Sequence, residues 1–374
     1  MAFNDRFLKA CRREPVDATP VWLMRQAGRY LKEYRDIRAK HDFLTMCKTP
    51  EVATEVTLQP VDVLGVDAAI IFADILLPLE GMGIDLEFAK GEGPVIHNPV
   101  RTKADVDAIR IIEAEEATPY VAEAIKIVRR ELEGRVPLIG FSGAPFTIAS
   151  YIVEGSGSRD YRYAKAMMYE APEAWHGLME KLAEIVTRYL RMQIQAGAQA
   201  VQMFDSWVGA LGPVDYEKFV MPYSKRVMDN LAGDGVPRIH FANNASTLLE
   251  LVAAAGGDVI GVDWRINLDV AWQRIGYDKA IQGNLDPMTL FGPTECIEER
   301  VQDILNRAGG RPGHIFNLGH GIHKDTPVEH AKALVDAVHK LSKRCIGGRC
   351  FLWVLTRRVR THRKQRPLNP LIKR

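Results

Sequence analysis

The sequence predicts an α/β protein built as a single (β/α)8 TIM barrel, with its active-site cleft at the C-terminal ends of the strands. Three observations predict it. Short apolar runs alternate with longer helix-patterned segments along most of the chain, which argues for parallel strands with helices outside. A polar or charged residue follows each run closely, and a barrel gathers all its strand ends at one mouth. No G-x-G-x-x-G turn follows a strand, as an open doubly wound sheet would usually show at its switch point.

The first run is Ala68-Ala69-Ile70-Ile71-Phe72, with Asp74 just beyond it. Pro137-Leu138-Ile139-Gly140-Phe141 leads to Ser142, and Ala200-Val201-Gln202-Met203-Phe204 leads to Asp205 and Ser206. Arg238-Ile239-His240-Phe241 precedes Asn243 and Asn244, and Val259-Ile260-Gly261-Val262 precedes Asp263. Ala280-Ile281-Gln282 is followed by Asn284, and His314-Ile315-Phe316-Asn317 by His320. Helix-like stretches lie between them, among them Thr118 to Glu133 and Ala174 to Ala196, several opening on Pro or an N-cap-like polar residue.

A chain of 374 residues fits one barrel of roughly 200 to 400 residues. Its 47% hydrophobic and 26% charged content is that of a soluble globular enzyme. No apolar run approaches the roughly 20 residues that span a bilayer. The start, Met1-Ala2-Phe3-Asn4-Asp5-Arg6-Phe7, carries charges where a signal peptide needs an apolar stretch, so a cytoplasmic location is expected. Cys11, Cys47, Cys296, Cys345 and Cys350 include no C-x-x-C pair, and reduced structural thiols are expected.

The net charge of +2 hides an asymmetry. From Lys343 to Arg374 there are 11 Lys or Arg and no acid, so the remainder holds 49 − 11 = 38 basic against 47 acidic residues, a balance of −9. Such a body offers no footprint for nucleic acid, and an anionic ligand must be held by a local arginine cluster. Gly347-Gly348-Arg349 breaks the preceding helix pattern. The expected organisation is therefore a barrel over 1–345 and a basic, disordered extension over 346–374, with an anionic-surface or RNA-binding arm as the sharper reading of that tail.

One such cluster is present. Met24-Arg25-Gln26-Ala27-Gly28-Arg29-Tyr30, with Arg38 after it, places planar, permanently charged forks around a glycine, which suits carboxylates. On composition alone a solvated basic face is the favoured reading of these arginines. Asp74 reads either as an N-cap after a strand or as a cleft carboxylate. Ser206 reads as a helix cap or a ligand contact, and no G-x-S-x-G elbow marks it as a nucleophile.

The run Arg25-Gln26-Ala27-Gly28-Arg29-Tyr30 is similar to the signature of the uroporphyrinogen decarboxylase family. So are Leu58-Gln59-Pro60, Ala69-Ile70-Ile71-Phe72-Ala73-Asp74-Ile75-Leu76, Gly143-Ala144-Pro145-Phe146-Thr147 and Tyr151-Ile152-Val153-Glu154-Gly155. Gln282-Gly283-Asn284-Leu285-Asp286-Pro287 and Asn317-Leu318-Gly319-His320-Gly321 complete an ordered set from about residue 3 to 342. The resemblance implies a carboxy-lyase that converts the four acetates of uroporphyrinogen III to methyls, giving coproporphyrinogen III without cofactor or metal, and a cytoplasmic homodimer. It implies that Arg25, Gln26, Ala27, Gly28, Arg29 and Arg38 line the substrate cleft. Asp74 corresponds to the central carboxylate, Tyr151 lies near it, and Ser206 and His320 bind substrate carboxylates; Asp74, Arg25 and Tyr151 form the expected catalytic set. Two other readings compete. A zinc- and cobalamin-linked methyltransferase of the same superfamily would need a His-x-Cys pair, where this chain has His240-Phe241-Ala242. A non-catalytic tetrapyrrole binder would not need Asp74, Tyr151 and Ser206 together.

Overall fold

Seven strands lie side by side in sequential order, all parallel, because each is followed by a helical crossover that returns the chain to the same end. The computed structural model describes residues 3–89 and 93–344. The strands are β1 (Ala69–Ile70), β4 (Leu138–Gly143), β5 (Ala200–Asp205), β6 (Arg238–Ala242), β7 (Val259–Gly261), β8 (Ala280–Gln282) and β9 (His314–Ile315). Each coincides with one of the seven apolar runs. A separate antiparallel hairpin, β2 (Leu86–Ala89) with β3 (Gly93–Ile96), is inserted after β1 and was not expected from the sequence. Met1–Arg344 forms one compact unit. The expectation for the 346–374 extension falls outside the described residues.

The eighth stave of the predicted barrel is reduced to one residue. Val21 makes a parallel bridge to Phe316, with the Phe316 N–H donating to the Pro20 carbonyl (2.8 Å). On its other side the Asp67 N–H donates to the Val21 carbonyl, and the Val21 N–H donates to the Asp67 carboxylate, both at 2.8 Å. Pro20, which has no N–H, cannot lengthen the ladder, and the chain turns away at Arg25, whose φ is 60°. Two side-chain amides carry the seam further. Gln26 accepts from the Leu23 N–H (3.1 Å) and donates to the Ala68 carbonyl (3.1 Å). Asn317 accepts from the Met24 N–H (3.0 Å).

Inside the barrel, Trp22 Nε1 donates to Gln282 (3.0 Å), and Gln282 donates to Gln202 (3.0 Å). β5 and β8 are not neighbours, so this chain of bonds crosses the interior. Above it Phe141, Phe204 and Phe241 meet edge to face, with ring centroids 5.6 and 5.9 Å apart. Phe141 and Phe204 stay half-exposed and form an apolar floor under the mouth. His240, which alternates with Phe241 along β6, faces the helices instead and is fully buried.

Asp67 is 1% exposed and also accepts from Asn4 (2.8 Å), Arg6 (2.9 Å) and His339 (2.7 Å). Burial opposes its ionisation, but the hydrogen bond and charge of His339, with the bonds from Asn4 and Val21, win and hold the carboxyl below its usual range. Asp67→Ala leaves the buried Val21 N–H unpaired and removes the acceptor shared by Asn4, Arg6 and His339, although Arg6 keeps Asp17, so we expect a stability loss of about 3 kcal/mol. Asp67→Asn should lose less, because an acceptor remains. Urea denaturation checks both, and parent-like midpoints would show that the seam does not depend on this carboxylate.

Candidate active site

The seam that closes the barrel also presents its arginines. Arg25 sits in the left-handed region, where a non-glycine residue is held only by its surroundings. Here the Met24 carbonyl accepts from Ile322 N–H (2.9 Å) on one flank, and the buried Gln26 is fixed on the other. The Arg25 side chain then lies across Gly321, where an added β-carbon would stand 2.8 Å from Arg25 Cγ. This is the physical reason for a glycine beside His320.

Asp74 follows β1. The chain reaches it through Phe72, whose N–H donates to Thr57 Oγ1 (2.9 Å), and Ile71, whose N–H donates to the Ile139 carbonyl (3.0 Å). Its carboxylate accepts from the Leu76 N–H (2.8 Å) in a local turn, while the following helix, Pro78–Gly81, has Leu77 at its N-cap, so Asp74 is not a helix cap. Burial nevertheless raises its pKa to about 6, against the opposing pull of that N–H and of the Arg25 charge. Tyr151, on the helix Pro145–Glu154, feels both groups: burial and then the Asp74 charge raise its pKa. Its ring packs edge-on against Trp207, 6.0 Å between centroids. Burial, then the charges of Arg25 and Arg265, lower the pKa of His320 and keep it neutral at pH 7. The structure thus gathers Arg25, Asp74, Tyr151 and His320 at one mouth.

Ser206 is placed by a relay behind the wall. Its N–H donates to Thr147 Oγ1 (2.8 Å), which donates to the buried Asp205 (3.2 Å), while Asn243 donates to its carbonyl (3.3 Å). Arg29 is exposed at the outer rim, where an open cavity of about 390 Å³ is lined by Arg29, Tyr30, Arg35, Lys324, Asp325 and Thr326. Arg35 braces this corner by donating to the Arg29 and Tyr30 carbonyls at 2.8 and 2.9 Å. Arg38 donates to the His41 carbonyl (2.7 Å) and, like Arg29, acts on Tyr34. Gln26 is 0% exposed and its amide is consumed in the seam, so it shapes the cleft from behind; Ala27 and Gly28 are half-buried beside it.

Arg6, Arg135, Arg238 and Arg274 each pair with a carboxylate, whereas among the described residues Arg25, Arg29 and Arg38 pair with none. Unpaired guanidiniums at the mouth and along its rim, together with the apolar faces of Phe141 and Phe204, suit a large, polyanionic, partly apolar ligand. Among the described residues no three His, Cys, Asp or Glu side chains converge as metal ligands. His240, the candidate metal ligand of the methyltransferase reading, has both ring nitrogens unpartnered inside the wall.

The family described as uroporphyrinogen decarboxylase (URO-D) matches residues 2–341. The chain belongs to this family. The uroporphyrinogen decarboxylase of Carboxydothermus hydrogenoformans is 69% identical over 339 residues, covering 91% of this chain and 97% of that one. That of Sorangium cellulosum is 58% identical, covering 92% and 99%. Among solved structures, a methyltransferase from Methanosarcina mazei superposes with a TM-score of 0.77 at 21% identity, covering 90% of this chain and 98% of that one. At that identity the likeness shows the shared barrel fold alone. Trp264, Arg265 and Trp207 at the URO-D mouth, and Thr147 behind its wall, are the residues to which the sequence assigned no role in the site. Trp264 and Arg265 directly follow Asp263, one of the strand-end polar residues, and that position was the signal available.

Asp74 also makes a stability prediction. Its folded pKa near 6 lies above the unfolded value near 3.8, so between those limits the folded form binds more protons and stability falls as pH rises. Above about pH 6 the full cost of the charge remains, on the order of 3 kcal/mol. Asp74→Asn should therefore raise the melting temperature at pH 7–8, and the gain should vanish below about pH 4. A variant less stable than the parent at pH 8 would show that Asp74 is a structural anchor.

Proposed function

We propose that this barrel decarboxylates the four acetate side chains of uroporphyrinogen III to methyls, yielding coproporphyrinogen III, with no cofactor. The observation that carries the reading is one half-buried carboxylate, Asp74, together with the unpaired guanidiniums of Arg25, Arg29 and Arg38. A porphyrinogen offers the complement of both: pyrrole N–H donors toward its centre and carboxylates around its edge. One carboxylate can accept several such N–H groups, and the arginines can fork onto the rim.

Loss of carbon dioxide needs an electron sink, and the pyrrole supplies one. Protonation of a ring carbon makes the ring cationic. The bond between the acetate methylene and its carboxylate then breaks, its electron pair neutralises the ring, and an exocyclic methylene remains. A proton added to that methylene gives the methyl group as the ring carbon loses its own. Each turn consumes one proton and releases one carbon dioxide. Asp74, a preorganised anion beside a ring that becomes cationic, stabilises the intermediate more than the neutral ground state. Tyr151 orients the ring near Asp74. Ser206 and a neutral His320 donate hydrogen bonds to substrate carboxylates without adding a charge of their own. The same reading places the enzyme in the cytoplasm as a homodimer, which sedimentation analysis tests. No helix of the described residues is long and apolar enough to cross a membrane.

The test is an anaerobic assay of metal-stripped protein with uroporphyrinogen III. Coproporphyrinogen formation is expected, and folded protein that binds the substrate but releases no carbon dioxide would favour a non-catalytic binder. Asp74→Asn should lower kcat at least about a hundredfold with little change in KM. Arg29→Ala should instead raise KM about tenfold or more with a modest change in kcat. Near-parental kcat in the first variant, or unchanged KM in the second, would remove that residue from its role.

A further inference from the structure

We infer that Arg265 is a further substrate-carboxylate anchor, fixed beside His320 by Trp264 and Asp263 and directed at a propionate that survives the reaction. The inference rests on the decarboxylase reading and adds a specificity residue to it. Arg265 lies where β7 reaches the mouth, and three loops hold it there. The buried Asp263 accepts the Arg265 N–H (2.8 Å) and the Asn244 N–H, while Asn284 donates to the Asp263 carbonyl (2.8 Å). The guanidinium rests 4.0 Å from the centroid of the Trp264 ring. Trp264 in turn meets His320 edge to face, 6.3 Å between centroids. The fit against the His320 loop leaves no slack: a β-carbon on Gly319 would stand 3.0 Å from the Asp263 carbonyl carbon and from Trp264 Cε3.

The stacked guanidinium is held in orientation but not consumed. Among the described residues its one hydrogen-bond partner is Asp263, 3.4 Å from Nη1, a weak contact for a group with five N–H donors. The side chain remains 41% exposed. Arg25, lying across Gly321, and Arg265, stacked on the Trp264 that packs against Gly319 and His320, thus both border the His320 loop, an arrangement suited to a ligand with two neighbouring carboxylates. Every pyrrole of uroporphyrinogen carries one acetate and one propionate side by side. With the reacting acetate held near Arg25 and Asp74, the adjacent propionate falls to His320 and Arg265. A propionate is present before and after each of the four steps, so Arg265 should support all of them alike.

Arg265→Gln and Arg265→Lys are compared with the parent by anaerobic kinetics and by binding of coproporphyrinogen III, which keeps the propionates but has no acetate. For Arg265→Gln, KM should rise about tenfold and product affinity should fall by a similar factor, with kcat within about threefold. Arg265→Lys should lie between, and the salt dependence of KM should flatten in Arg265→Gln. Unchanged KM and product affinity overturn the proposal. A loss of kcat and melting temperature with unchanged product affinity also overturns it, assigning Arg265 to bracing Asp263 alone. A parent that binds coproporphyrinogen yet never releases carbon dioxide defeats the decarboxylase reading instead, while the binding comparison still decides Arg265.

Discussion

The carboxylate and backbone of Asp67 grip both polar groups of Val21, and this reciprocal pair closes the barrel. A parallel sheet of seven strands has two edges, and an edge leaves rows of unpaired N–H and carbonyl groups. Here one residue joins them, with the Gln26 and Asn317 amides supplying hydrogen bonds that longer strands would have made. The arrangement has a functional consequence. A full eighth strand would continue its ladder through residues 22 to 26, whereas a single-residue stave frees the chain to turn at Arg25 into the mouth. The left-handed conformation of Arg25 is sustained because its neighbours on both sides are pinned by the same seam.

Electrostatics then separates the cleft from the body. Residues before the basic tail sum to −9, yet the mouth and its rim hold Arg25, Arg29 and Arg38, which pair with no carboxylate among the described residues, and Arg265, whose contact with Asp263 is long at 3.4 Å. A global field would repel a polyanion; short-range forks over an apolar floor capture it, because hydrogen-bonded charge pairs in a low-dielectric cleft outweigh distant repulsion screened within about 8–10 Å. Asp74 is the counterweight. Its carboxyl is raised by burial rather than by another acid, so it ionises near neutrality without a like-charged neighbour forcing the proton on.

Much of this was legible in the sequence, for reasons that the structure makes specific. All seven apolar runs became strands because parallel strands are covered on both faces and read as continuous hydrophobic stretches. Val21 was not legible: a one-residue stave flanked by Pro20 has no periodicity to detect. The β2–β3 hairpin was missed because Leu86–Ala89 and Gly93–Ile96 are short and carry weak alternation. The rule that polar residues after strands mark the site proved half useful. Asp74, Ser206 and His320 stand at the mouth, but Asp205, Asp263 and Asn284 are braces whose polar groups hold neighbouring loops. Sequence shows that a strand ends in a polar group, not whether that group faces the cleft or the wall.

That distinction explains why the family resemblance and the geometry complement each other. Gln26 lies inside the most recognisable motif of the chain, between two cleft arginines, and its side chain never reaches the cleft. The motif acts as a unit because Gln26 ties Leu23 to Ala68, fixing the backbone from which Arg25 and Arg29 leave the wall. Gly321 belongs to the same unit from the other side, since only a residue without a β-carbon leaves room for Arg25 to lie across it. A contiguous motif can therefore mix groups that touch the ligand with groups that aim them. Burial and hydrogen-bond satisfaction, rather than membership of the motif, tell the two apart.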